Sequence, residues 1–196
     1  MSLTTLSIKE PGLNILPPGV ERYVVEGGGL TGIQILPDDE IEIINNEGNQ
    51  LCEISVFNKD GKSDLAILGL KEIKENSEIK KILFKKDETS LQALLQLKKR
   101  NLNIEKSKSS LIFDKDTKAG EIIKIKSKDK CYCIFAAPGE KMVVHEQNPS
   151  TELTVIVRRS VIKKDKEFSL IPDPIYDPSN EINIARTTAN SYQVKE

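Results

Sequence analysis

Short apolar segments, each closed by Gly, Pro, Asn or Asp, recur along most of this 196-residue chain, and that punctuation is the strongest constraint on its fold. Arg22-Tyr23-Val24-Val25 is rich in β-branched and aromatic residues and reads as a strand. Gly27-Gly28-Gly29 follows, and residues 30–36 read as the next strand. Pro37-Asp38-Asp39 is a turn signal, with Pro favoured at the second position of a type I turn. Residues 40–44 alternate polar and apolar, the period of a half-buried strand. Asn45-Asn46-Glu47-Gly48 is expected to close a hairpin onto a return strand over 50–57. Asn58-Lys59-Asp60-Gly61 then turns the chain before the apolar run 65–70. Strand, turn and strand at this spacing predict a meander.

The period changes once. Asn76 or Ser77 is placed to cap a short helix with Ile79, Ile82 and Leu83 on one stripe. Thr89 or Ser90 is placed to cap a second, carrying Leu91, Leu94, Leu95 and Leu97 at helical spacing. Lys98, Lys99 and Arg100 fall at its C-terminal end, where cations suit the helix dipole. The strand period resumes over 111–113, 121–126, 131–136 and 153–162. Regular strand–helix alternation, the mark of a parallel α/β sheet, is absent. The expected class is therefore α+β: mainly antiparallel β, sandwich or barrel-like, with a two-helix insertion around residues 76–103.

Charge sets outer limits on function. The 29 basic and 30 acidic side chains leave a formal net charge of −1, whereas a generic binder of nucleic acid or acidic membrane needs a positive surplus. No nucleic-acid or membrane partner is expected, and no segment approaches the roughly 18 consecutive apolar residues of a membrane span. The N-terminus lacks a secretory signal, and Cys52, Cys131 and Cys133 form an odd set, so free thiols in a cytoplasmic protein are expected. The organisation read along the chain is an irregular lead-in (1–20), a β-rich domain (21–165), a Pro-rich linker (166–182) and the start of a second, truncated domain (183–196). The linker signal is Pro172-Asp-Pro-Ile-Tyr-Asp-Pro178.

No catalytic constellation stands out. His145, the single histidine, lies in Met-Val-Val-His-Glu-Gln-Asn-Pro with no nucleophile motif beside it. Cys131-Tyr-Cys133 has too short a spacing for a zinc knuckle, and the two thiols are expected to be buried on one face of a strand. With no metal ligand set, no metal is expected. Gly27-Gly28-Gly29 precedes a strand, not the helix that a phosphate loop requires, and reads as a turn. Alternation puts Cys52, Ile54 and Val56 on one face and Glu53 and Ser55 on the other. Glu53 is then either a solvent-facing charge, the commoner case, or a buried acid with a raised pKa. Asp64, opening Leu65-Ala66-Ile67-Leu68, poses the same question. Of Arg158-Arg159, one is expected to face outward and the other could grip an anion.

Several blocks resemble a known family. Asp39-Glu-Ile-Glu-Ile-Ile-Asn-Asn-Glu-Gly-Asn-Gln50 resembles the opening hairpin of the urea-carboxylase-associated, DUF1989-type domain, with Glu53 standing where that family has Asp. Ala136-Ala-Pro-Gly-Glu-Lys-Met142 and Leu153-Thr-Val-Ile-Val-Arg-Arg-Ser-Val-Ile162 are similar to the N-terminal module of aminomethyltransferase-like proteins, relatives of the glycine-cleavage T protein. Tyr192-Gln-Val-Lys-Glu196 resembles the first strand of a second copy of the same domain. The resemblance implies an accessory, non-catalytic domain of a folate-dependent one-carbon transferase. Its partners would be downstream domains of the same polypeptide and a small methylated amine, with tetrahydrofolate bound beyond this segment. The alternative it implies is an autonomous enzyme of urea or guanidine metabolism, with Glu53 or Asp64 as acid/base and His145 assisting. A plain protein-interaction module is a third reading.

Overall fold

The computed structural model describes residues 16–73, 77–85, 87–139, 150–160 and 186–187. In chain order these form β1 (Val20–Val25), β2 (Leu30–Ile35), β3 (Glu40–Asn45), β4 (Cys52–Asn58) and a 3-10 helix (Leu65–Leu68). Then come α1 (Glu78–Leu83), α2 (Glu88–Lys99), β5 (Ser109–Phe113), β6 (Glu121–Lys126), β7 (Cys131–Ala136), β8 (Leu153–Arg158) and β9 (Arg186–Thr187). One sheet has the order β6-β3-β8-β1-β9 and the other β2-β7-β4-β5, and every pairing is antiparallel. With β9 set aside, 6-3-8-1 facing 2-7-4-5 is the strand order of a jelly roll. The expected class, mainly antiparallel β with a helical pair, is the one observed.

The meander is not. The short links β1–β2, β2–β3 and β3–β4 each cross from one sheet to the other, so β3 pairs with β6 and β8, never with β4. The cause lies in the turn after β3. Asn45 accepts a bond from Gly48 N at 3.0 Å and donates to Gln50 O at 2.9 Å, while Gly48 and Asn49 hold positive φ of 80° and 58°. Asn49 N then donates to Thr117 O at 2.7 Å. The turn is pressed so closely on the β5–β6 link that a Cβ at Gly48 would lie 2.6 Å from Ala119 N. Local residues thus make an arch, although their composition is equally that of a hairpin. The turn at Pro37 also differs from expectation. Asp39 N bonds Leu36 O with Asp38 at φ 66°, a left-handed third residue that makes it type II rather than type I.

Alternation decides the core. Tyr23, Val25, Ile33, Ile35, Ile41 and Ile43 meet Cys52, Ile54, Val56, Cys131, Cys133 and Phe135 between the sheets. The outer face of the β2-β7-β4-β5 sheet is covered in turn: Phe57, Ile134 and Ala136 pack under Ile79, Leu83, Ala93 and Leu97 of the helices. The outer face of the other sheet carries charge, with Glu42 bridging Lys124 at 2.9 Å and Arg158 at 3.2 Å. Those two cations, Lys124 foremost, hold the Glu42 carboxyl below its ordinary range.

The helical insertion starts as expected at one end only. Ser77 caps α1, but α2 is capped by Asp87, whose carboxylate accepts from Ser90 N at 2.7 Å, two residues before the expected start. Ser90 sits inside the helix, and its hydroxyl donates to Ile82 O at 2.8 Å, tying the two helices together. The leucine stripe is split as well. Leu97 is buried beside Ala93, whereas Leu91 and Leu95 are 52% and 60% exposed. The stretch expected to open a second domain contributes Arg186–Thr187, which pairs with Tyr23 and Val24 of β1. Residues 192–196 lie outside the described residues.

Candidate functional site

Two buried polar clusters hold the charged side chains that are buried among the described residues. The first closes the end of the sandwich where β8 finishes. Alternation on β1 puts Glu21 on the same inward face as Tyr23 and Val25, and Arg159 follows directly on β8. The Arg159 guanidinium grips Glu21 through Nε (2.9 Å) and Nη2, and reaches Asp39 Oδ2 at 2.8 Å and Gln34 O at 2.9 Å through Nη1. Tyr23 donates its hydroxyl to Glu21, while Asp39 also accepts from Leu36 N and Ser160 N. Arg159, Glu21 and Asp39 side chains are 2%, 4% and 0% exposed, so every charge here is internal. Burial works against the Arg159 charge, but hydrogen bonding and attraction to Glu21 outweigh it and keep the guanidinium charged. Burial, aided by Glu21, pushes the Tyr23 phenol far up, which fixes it as a donor. Of the arginine pair, Arg158 is the outward one. Arg159 does grip anions, but they are the protein's own carboxylates.

The second cluster lies between β4 and α1. Glu53 is 1% exposed, which corrects the solvent-facing reading: the helices cover the face of β4 to which it points. Its carboxylate accepts from Ser77 Oγ and from Glu78 N at 2.6 Å, fastening the first turn of α1 to the sheet. Ser109 Oγ lies 2.8 Å from Ser77 Oγ and 3.0 Å from Ser55 Oγ, extending the network to β5. A single strand pattern gives Glu53 its face but not its partner, which lies 24 residues away.

Of the other candidates, Asp64 joins neither cluster. Asp64 caps the 3-10 helix, accepting from Ala66 N at 3.1 Å. His145 lies outside the described residues. Gln50 donates to Pro138 O at 3.0 Å and accepts from Thr151 N at 2.7 Å. The glycine run is a packed turn: Gly28 N donates to Ala137 O, and a Cβ at Gly27 would lie 2.3 Å from Ser150 O. Sequence reasoning overlooked Glu21 and Asp39; an acid on an inward strand position two residues before a buried tyrosine was the available signal.

The cysteines are free and buried, as expected. Cys131 and Cys133 Sγ lie 3.8 Å apart inside the core. The contact with Cys133 holds the Cys131 thiol below its ordinary range, and burial drives Cys133 up. Burial, then the Glu53 charge, drives Cys52 up strongly. A raised thiol remains protonated in the folded state while the unfolded chain ionises, so its contribution is complete below about pH 8.5 and is lost as pH rises above it. Each such thiol removes up to about 1.4 kcal/mol per pH unit on that limb. Urea midpoints measured from pH 7 to 10 should therefore fall at the alkaline end, and Cys52→Ala should make that fall shallower. An unchanged slope in the variant would reject Cys52 as a source.

Among the described residues no group of three or more His, Cys, Asp or Glu side chains is arranged to hold a metal, and no helix is long and apolar enough to cross a membrane. A cleft of about 360 Å³ opens between the helices and the following loop, lined by Phe84, Leu94, Lys98, Asn101, Asn103 and Glu105 among others.

Strand order, filled interior and helical cover define a jelly-roll domain whose buried charges serve its own architecture. No family model matches the chain. It is 36% identical over 190 residues to trimethylamine-oxide aldolase of Ruegeria pomeroyi. That match covers 96% of this chain but 24% of the relative, so the chain spans about a quarter of the length of the curated protein it resembles.

Proposed function

We propose that this chain is a non-catalytic accessory domain that works with the catalytic part of a methylated-amine enzyme. The observation carrying this reading is the homology along nearly the whole chain to one quarter of trimethylamine-oxide aldolase. Two features support it. The space between the sheets is filled with apolar side chains, and the buried carboxylates Glu21, Asp39 and Glu53 are bonded to Arg159, Ser77 and backbone amides. Such carboxylates are anchors, because a general acid or base needs hydrogen-bond reach to a substrate. In this reading tetrahydrofolate is bound outside this segment. If a one-carbon transferase is the host, that cofactor belongs to the host's other domains. The aminomethyltransferase link and the DUF1989-type ancestry are part of this proposal, resting on the motifs quoted above. A cytoplasmic setting fits the three free thiols.

The test uses trimethylamine oxide, which an aldolase splits into dimethylamine and formaldehyde with all atoms accounted for. The purified 196-residue chain should release no formaldehyde. A chimera in which it replaces the aligned segment of the Ruegeria enzyme should release it at a rate within about tenfold of the parent, a barrier change of roughly 1.4 kcal/mol. Turnover by the chain alone, or a folded but inactive chimera, would overturn the proposal.

A further inference from the structure

The helical layer exposes an apolar face that packs on nothing among the described residues. Helix α2 buries Ser90, Ala93 and Leu97, and on its opposite side it presents Glu88, Leu91, Leu95, Lys98 and Lys99 to solvent. Leu91 and Leu95 are one turn apart and form a continuous apolar ridge. Glu88 lies one turn before that ridge, and Lys98 and Lys99 lie at its far end. None of the ion pairs found among the described residues takes up these three charges. An amphipathic surface helix places its leucines inward; here two of them are the most exposed large apolar side chains.

The order acid, Leu, Leu, base is complementary to its own reverse. We propose that α2 is a self-association surface, pairing antiparallel with α2 of a second copy of this chain about a two-fold axis. In that arrangement Leu91 of one copy packs on Leu95 of the other, twice by symmetry, and Glu88 faces the partner copy's Lys98–Lys99 end. A two-fold contact uses the same patch on both subunits, so it requires this kind of self-complementarity. A parallel pairing would put Glu88 beside Glu88 and lysine beside lysine. A helix of 12 residues is only about 18 Å long. The contact is therefore smaller than the roughly 1,200 Å² of a stable dimer, and the association is weak and reversible. It is independent of the accessory role proposed above.

Sedimentation equilibrium across a concentration series should show a monomer–dimer equilibrium that weakens with added salt. Leu91→Glu with Leu95→Glu, both at exposed positions, should leave the circular dichroism spectrum intact and abolish the dimer. Glu88→Lys and the Lys98→Glu, Lys99→Glu pair should each weaken self-association by about tenfold, because each variant sets like charges opposite one another at both ends of the ridge. Mixing those two charge variants should restore association as a heterodimer. Separate Leu91→Cys and Leu95→Cys proteins should cross-link with each other faster than either does with itself. A wild-type chain monomeric at every concentration, a dimer that survives the double leucine substitution, or preferential self-cross-linking would each overturn the proposal.

Discussion

Arg159→Met should destabilise the domain by about 3–5 kcal/mol in urea-induced unfolding at neutral pH, the range for breaking one side of a buried ion cluster. Methionine keeps most of the aliphatic length, so the loss is electrostatic. The carboxylates of Glu21 and Asp39, 4% and 0% exposed, would remain in the interior without the cation that offsets their desolvation. Tyr23 would still donate to Glu21, and Leu36 N and Ser160 N to Asp39, but neutral donors do not replace a guanidinium. A second variant separates charge from packing. Arg159→Met combined with Glu21→Gln removes one orphaned charge and should regain part of the loss. Stability within about 1 kcal/mol of wild type in the single variant would mean that the cluster is solvated in solution. Since small domains have only about 5–15 kcal/mol in total, this position ranks among the most sensitive in the chain.

Glu53→Ala should cost about 2–3 kcal/mol, the range for hydrogen bonds to a buried charged group. The substitution strips Ser77 Oγ and Glu78 N of their acceptor, leaving an α1 turn detached from the sheet. The effect should be local as well as global. Amide exchange within α1 should quicken more than in the β3–β8 pair, because helix docking fails before the sandwich does. Glu53→Gln, which retains an oxygen acceptor and adds a donor, should lose less than half as much. That pair of variants also bears on activity. In the active chimera Glu53→Gln should leave formaldehyde release close to the parent rate, whereas an acid/base residue would lose roughly 100-fold or more.

Strand positions were legible in the sequence because alternation and turn residues are local. Glu121–Lys126 and Cys131–Ala136 match their expected bounds, and the inward face of Cys52, Ile54 and Val56 is the one read from period alone. Pairing was not legible. Asn45-Asn46-Glu47-Gly48 serves an arch as well as it serves a hairpin, and the choice rests on Thr117 and Ala119, some 70 residues further on. Period placed Leu91, Leu94, Leu95 and Leu97 on one helix, as observed, but which of them are buried depends on where Phe57 and Ile134 present the sheet. The candidate site behaved the same way. Glu53 could be given a face from its neighbours, whereas Ser77 and the covering helices that convert it into an anchor lie far along the chain. One of Arg158-Arg159 was read as able to hold an anion, but which of the two, and that its anions are Glu21 and Asp39, could be assigned only in three dimensions.

Strand β8 sits between β1 and β3 at the centre of its sheet, pairing with both over residues Leu153–Arg158. During synthesis, β1 and β3 therefore wait for more than a hundred residues before their shared neighbour leaves the ribosome. Until then two strands rich in isoleucine and valine have open edges toward each other's missing partner, a state prone to intermolecular pairing. Since closure of such distant contacts governs rate, the chain should fold late and slowly, and its vulnerability to aggregation should end abruptly once residue 158 is free to dock.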